Sequence, residues 1–416
     1  MKNEGKPVPD MEQLEKIAAA FRATDDSPAI DFSNTKNAFI DKNDAELKKT
    51  AWLFRMMNNP RLVSIGSKLA LLAVKLRLPF FENIVKRTIF WQFCGGTTLL
   101  GSQKTIERLH RHGVFSVLDY GVEGKEQEED FNLTMNEILR AIEFSTQQPG
   151  VAVVSTKITG MARFALLEKV SSGETLTPTE KEEFQNVVKR VDTISHHAAQ
   201  KGVCLYIDAE ETWIQAAVDK IANQMMKRYN REKVVVYNTF QMYATDRLPY
   251  LMSSFDRAQR EGYLLGAKLV RGAYMDKERA RAAELGYPSP IHPNKAATDH
   301  AYNLGLRFCI DNYEKIACCN ASHNAESNLL MANLIAEKKI PRNHPHFQFC
   351  QLYGMSDNLT FNLAKAGYLA GKYVVYGQVR DVLPYLIRRT QENTSITGDL
   401  SRELSLITKE VKRRGI

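Results

Sequence analysis

The feature that most constrains this chain is a series of eight short, β-rich apolar runs that begins just after Gly113 and is spaced by longer amphipathic segments. The runs are VFSVLDY at 114–120, VAVVSTKIT at 151–159, VCLYIDA at 203–209 and VVVYNTFQ at 234–241, then LLGAKLV at 264–270, IACCNAS at 316–322, HFQFCQL at 346–352 and KYVVYG at 372–377. Between them, 179–200, 211–229, 244–262, 294–315, 325–338 and 356–369 carry helical periodicity and are long enough to be crossover helices. Eight consecutive βα units predict an α/β fold of the (βα)8 barrel type. A doubly wound sheet is the alternative, but no G-x-G-x-x-G follows the first strand.

Upstream of these runs the pattern differs. Residues 1 to about 50 are polar and charged, with an irregular stretch near 24–37, and helical periodicity then dominates to about Thr98. The expected layout is therefore a helical N-terminal region over 1–110, a barrel over 111–400 and a basic C-terminal tail over 401–416. The 416 residues, 44% of them hydrophobic, can bury a large core, which excludes a disordered chain. A net charge of +8, spread along the sequence, is no nucleic-acid signature, and no such partner is expected.

The six cysteines show no C-x-x-C spacing and mostly sit in apolar runs, which predicts reduced, packed thiols and no metal ligands. No secretory signal or clear transit peptide is evident, so the expected compartment is the cytoplasm. No run reaches the roughly 18–20 apolar residues a bilayer requires. The stretch from Arg61 to Phe93, with Lys68, Lys75, Arg77, Lys86 and Arg87 against Glu82, reads either as packed helices with a solvated basic face or as a segment lying on a membrane surface.

In a barrel of this type the chemistry gathers where the strands end. The second run delivers Lys157, the third Asp208, the fourth Asn238 and Gln241, the fifth Arg271-Gly272-Ala273-Tyr274 and the sixth Ser322-His323-Asn324; the seventh ends near Leu352 and the eighth carries Tyr373. Any one of these has a structural alternative: Asp208, for instance, could cap the helix that follows it. Their convergence on one mouth is what points to a site. After the eighth run, Tyr385, Arg388, Arg389 and Glu392 share a helix face by spacing. An Arg388–Glu392 surface ion pair is the plain reading; the functional one is that adjacent arginines bind a carboxylate through bidentate hydrogen bonds.

Through IDAEETW at 207–213, YNTFQMY at 237–243, AKLVRGAYMDKERARAAELGYPSPI at 267–291, ASHN at 321–324, QLYGM at 351–355 and YLIRRTQENTS at 385–395, the sequence resembles the proline dehydrogenase family over roughly 113–400. The wording of YNTFQ and KLVRGAY is similar to the monofunctional branch that includes the mitochondrial enzymes. The resemblance implies a distorted barrel holding FAD non-covalently, which oxidises L-proline to 1-pyrroline-5-carboxylate and passes the electrons to a membrane quinone.

Carried over position by position, Arg388, Arg389 and Lys157 would bind the proline carboxylate, with Asp208 orienting Lys157. Tyr274, Leu352, Tyr373 and Tyr385 would enclose the pyrrolidine ring. The resemblance assigns Asn238 and Lys268 to the isoalloxazine. It gives Ala209, Arg271, Gly272, Ala273, Ser322, His323 and Asn324 to further FAD contacts, Lys295 to the pyrophosphate and Glu392 to the ribityl hydroxyls. Lys268 departs from the bifunctional bacterial branch, which has arginine there; a point charge replaces a planar fork near flavin N5.

The rivals are hydroxyproline oxidation, which the phenol of Tyr373 disfavours, a barrel lyase using Lys157 as a Schiff-base nucleophile, and a non-catalytic flavin or amino-acid binding protein. A quinone acceptor would bring the protein to the inner face of a membrane as a peripheral contact, through the basic 61–93 stretch and the C-terminal KEVKRRGI. Oligomeric state is left open.

Overall fold

The computed structural model describes residues 29–76, 81–122, 124–395 and 399–416, with Leu14, Lys16 and Ile17. Among them are nine strands: β1 (Cys94–Gly96), β2 (Val114–Tyr120), β3 (Val151–Lys157), β4 (Cys204–Asp208), β5 (Val236–Gln241), β6 (Leu265–Val270), β7 (Ile316–Ala321), β8 (Phe347–Leu352) and β9 (Ala370–Tyr376). β2 to β9 follow one another round the sheet and β9 returns to both β2 and β8, so the fold is a closed, eight-stranded parallel barrel with flanking helices, as the eight runs predict. Each of those strands falls within its predicted run or starts at most two residues before it. β1, three residues long and pairing in parallel with β9, is an addition the sequence pattern did not show.

By internal contacts the described residues divide into two compact units, those within 1–23 and 123–349 and those within 24–122 and 350–416. The first holds β3 to β7 and the beginning of β8. Its strands are buried on both faces, which is why they read as continuous apolar runs rather than alternating ones. Its helices carry explicit punctuation. Pro178–Lys201 starts at a capping box in which Thr177 accepts from the Glu180 amide and the Glu180 carboxylate accepts from that of Thr177, and it ends at Gly202 with φ +65°.

The second unit packs helices Asp44–Met57, Val379–Ser395 and Asp399–Arg414 around Phe39, Phe54, Phe93, Val375, Leu386 and Ile407. The basic C-terminal segment is mostly helix. Within it Arg413 and Arg414 both donate to Glu410, and Arg414 also donates to the Phe39 and Lys42 carbonyls at 2.8 Å. All six cysteines are buried and unbridged. No helix among the described residues is long and apolar enough to cross a membrane.

Candidate active site

Strand register builds the site in the first unit. Successive side chains along a strand point to opposite faces, and the Tyr206 and Tyr237 hydroxyls both bond to the Gln348 amide, with their rings 4.9 Å apart. That bonding marks the Tyr206/Tyr237 face as the inner one. Two residues further along, Asp208 and Thr239 share that face. Lys157 is in register with Asp208, Thr239 with Lys268 and Lys268 with Cys319. One inward layer therefore carries an ammonium, a carboxylate, a hydroxyl, a second ammonium and a thiol on consecutive strands.

Electrostatics ties this layer together. Asp208 accepts from Lys268 and lies 3.6 Å from Lys157 Nζ, so one carboxylate is shared by two cations. Lys268 Nζ also stands 5.6 Å from the centroid of the Tyr206 ring in the layer beneath. A single negative charge leaves the layer one positive charge in excess, which suits an anionic ligand. The helix after β4 starts at Thr212 with Glu211 at its N-cap, so Asp208 is not a helix cap.

Other residues singled out in the sequence are also ordered here. Arg271 donates to Asp299, Ser322 and Ser327 at 2.7–2.9 Å and stacks 4.3 Å from the Tyr302 ring centroid. Lys295 pairs with Asp299 at 2.5 Å. Burial would raise Asp299, but the hydrogen bonds from Lys295 and Arg271 hold it below the ordinary carboxylate range. Asn324 accepts from the Ser327 amide as the cap of helix Ala325–Glu337, and its own amide donates to Ser322 Oγ. His323 is half-buried beside them, while Ala209 and Tyr274 are buried.

Gly272 has φ +138°, and a Cβ there would come within 2.5 Å of the Tyr243 ring. Only glycine fits, because the Tyr243 ring occupies the space a side chain would need.

Asn238 is placed differently from the role the resemblance gave it. Its amide donates to Asp219 on helix Thr212–Tyr229 at 2.9 Å, on the face opposite Tyr237 and Thr239. Gln241, three residues on, shares the inner face; it donates to the Glu210 carbonyl and accepts from the Ala273 amide. The sequence already offered Gln241 as a polar residue at the end of this run, and counting by two from Tyr237 assigns it to the inner face.

In the second unit, Tyr385 is buried in the apolar cluster against which Leu352 packs, and Tyr373 is also buried. Arg389 is buried with its guanidinium 5.2 Å from the Tyr385 ring centroid, and Arg388 is half-buried. The side chain of Glu392 lies outside the described residues.

A family model described as proline dehydrogenase matches residues 102–402. The chain belongs to the proline dehydrogenase family. Proline dehydrogenase 1, mitochondrial, of Drosophila melanogaster is 39% identical over 249 residues, covering 58% of this chain but only 37% of the fly protein. Hydroxyproline dehydrogenase of Xenopus laevis is 32% identical over 93% of this chain and 90% of its own length. Among solved structures, proline utilization A from Bdellovibrio bacteriovorus, inactivated by N-propargylglycine, superposes with a TM-score of 0.68 at 21% identity, over 92% of this chain and 41% of that one. That likeness speaks to the fold alone.

Proposed function

We propose that the chain is an FAD-dependent proline dehydrogenase that oxidises L-proline to 1-pyrroline-5-carboxylate, the first step of proline breakdown. The observation that carries this reading is the inward layer Lys157–Asp208–Thr239–Lys268, a cationic floor with one shared carboxylate. The residues fit a flavin. Thr239 Oγ1 is a buried hydroxyl with no hydrogen-bond partner among the described residues, and Lys268 supplies a cation. FAD, when bound, supplies the hydride acceptor.

In this reading Lys157, Arg388 and Arg389 hold the substrate carboxylate, and Asp208 keeps Lys157 and Lys268 oriented. The surplus positive charge favours the neutral ring amine, the form that can release hydride. Tyr274, Leu352, Tyr373 and Tyr385 enclose the ring. On the cofactor side the geometry favours Gln241 over Asn238 as the β5 contact, with Arg271–Ala273, Ser322, His323, Asn324, Ala209 and Lys295 further along it and Glu392 toward the ribityl chain. Catalysis rests in 111–400.

Electrons pass on to a membrane quinone. Helix Pro60–Lys75 supports a peripheral contact, because Leu62, Ile65 and Leu69 are exposed on it beside Arg61 and Lys68.

The test is the visible spectrum of the purified protein, followed by anaerobic addition of L-proline. Flavin bands that bleach support the assignment; a protein that FAD cannot reconstitute would remove it. The frog relative motivates a second reading, oxidation of 4-hydroxyproline. Faster bleaching by hydroxyproline than by proline would favour it over the first.

A further inference from the structure

The turn that follows β8 closes around a buried ammonium. Lys372, on β9, has its Nζ at 2.9 Å from Asp357 Oδ1 and 3.4 Å from the Leu352 carbonyl, and it donates to the Met355 carbonyl as well. Its side chain is only 1% exposed. Next to it the Tyr373 carbonyl accepts from the Tyr353 amide at 3.0 Å. The turn is tight: Gly354 has φ +80° with Gln92 O where a Cβ would stand, and Ser356 holds φ +51° without being glycine. Two terminal segments grip the same turn. Lys42 donates to Asp357 Oδ2 at 2.8 Å, and Glu403, on helix Asp399–Arg414, accepts from the Ser356 amide at 2.9 Å.

Stability alone is a weak reason for this arrangement, because an apolar replacement of a buried ion cluster is often at least as stable. What the cluster does supply is direction: Lys372 fixes where the carbonyls of Leu352 and Met355 point, Lys42 shares its hold on Asp357, and together they set where the residues of the turn stand. We infer that Lys372 is a positioning residue, which through the 352–357 turn holds Leu352 and Tyr373 at the substrate ring, with Lys42 and Glu403 bracing the turn from outside. It touches no substrate itself. The inference rests on the proposed oxidation of proline and on the ring-enclosing roles of Leu352 and Tyr373.

Bleaching of the unaltered holoprotein by L-proline is measured first, and its absence sinks the proposed function and this inference together. Where it bleaches, Lys372→Met is expected to raise KM for proline at least tenfold, to leave kcat within about threefold, and to leave the flavin-to-protein ratio unchanged. Calorimetric binding of a proline analogue with oxygen in place of the ring nitrogen should weaken in step. A merely structural lysine would instead lower thermal stability and yield, with KM and analogue affinity unchanged, and that result overturns the inference while the proposed function stands. Should Lys372→Met fail to fold, Lys42→Met decides. A rise in KM of about threefold or more supports positioning, and an unchanged KM overturns it.

Discussion

Asp208 is the residue on which the most chemistry converges, since Lys157 and Lys268 compete for one carboxylate. Lys268→Met should therefore slow bleaching by proline about 100-fold, the scale seen when one stabilising donor is removed from an active site; stopped-flow absorbance checks it. Arg388→Met and Arg389→Met should act on binding instead, raising KM by tenfold or more as a charge-assisted hydrogen bond to carboxylate is lost. An unchanged KM would take the arginines out of the substrate role. Gly272→Ala combines a positive φ with a ring contact and should cost about 1–3 kcal/mol locally. Its reading is the flavin-to-protein ratio, which should fall; full retention would mean that the 271–273 backbone does not meet the cofactor.

Among the elements, helix Asp399–Arg414 carries a pH dependence. Glu403 is fully buried, and burial first, then Asp357 nearby, push its carboxyl up to about 7, against the pull of Lys372, Arg402 and the Ser356 amide. A carboxyl raised in the fold favours its protonated form. Its contribution is fully present below the ordinary carboxylate range and is lost as pH rises toward 7, on the order of 3 kcal/mol. Glu403→Gln, which keeps an acceptor for the Ser356 amide, should lose fewer degrees of Tm than the parent between pH 5 and pH 8. Equal losses would place the dependence elsewhere.

The strands themselves were legible because β-branched runs bounded by turns leave little choice of register. β1 was not, because Cys94-Gly95-Gly96 has no apolar run to read. Lys157 and Asp208 showed themselves as strand-end charges, whereas Lys268, inside its strand, was reached only through the family resemblance. Asn238 and Gln241 were visible as polar residues but needed the two-residue alternation to be assigned to faces, and Lys372 was illegible because Asp357 and the Leu352 and Met355 carbonyls, which make its burial tolerable, come from a separate turn of the chain.

At the scale of the molecule, a net charge of +8 and the exposed Leu62, Ile65 and Leu69 give the proposed membrane contact two separable parts. Binding to vesicles containing anionic lipid should be strong at low salt and weaken as salt screens the basic charges, while Leu62→Glu with Ile65→Glu should weaken it at any salt. Sedimentation with vesicles checks both, and failure to bind at low salt would remove the membrane from the reading.

The six buried thiols have a use that owes nothing to catalysis. Cys94 and Cys350 belong to one compact unit and Cys204, Cys309, Cys318 and Cys319 to the other. A thiol-reactive label reaches a buried cysteine only when its surroundings open. In mild denaturant, the mass of each labelled chain then reports its history: two adducts if one unit opens first, four if the other does, and six at once if the whole chain unfolds as a single cooperative body.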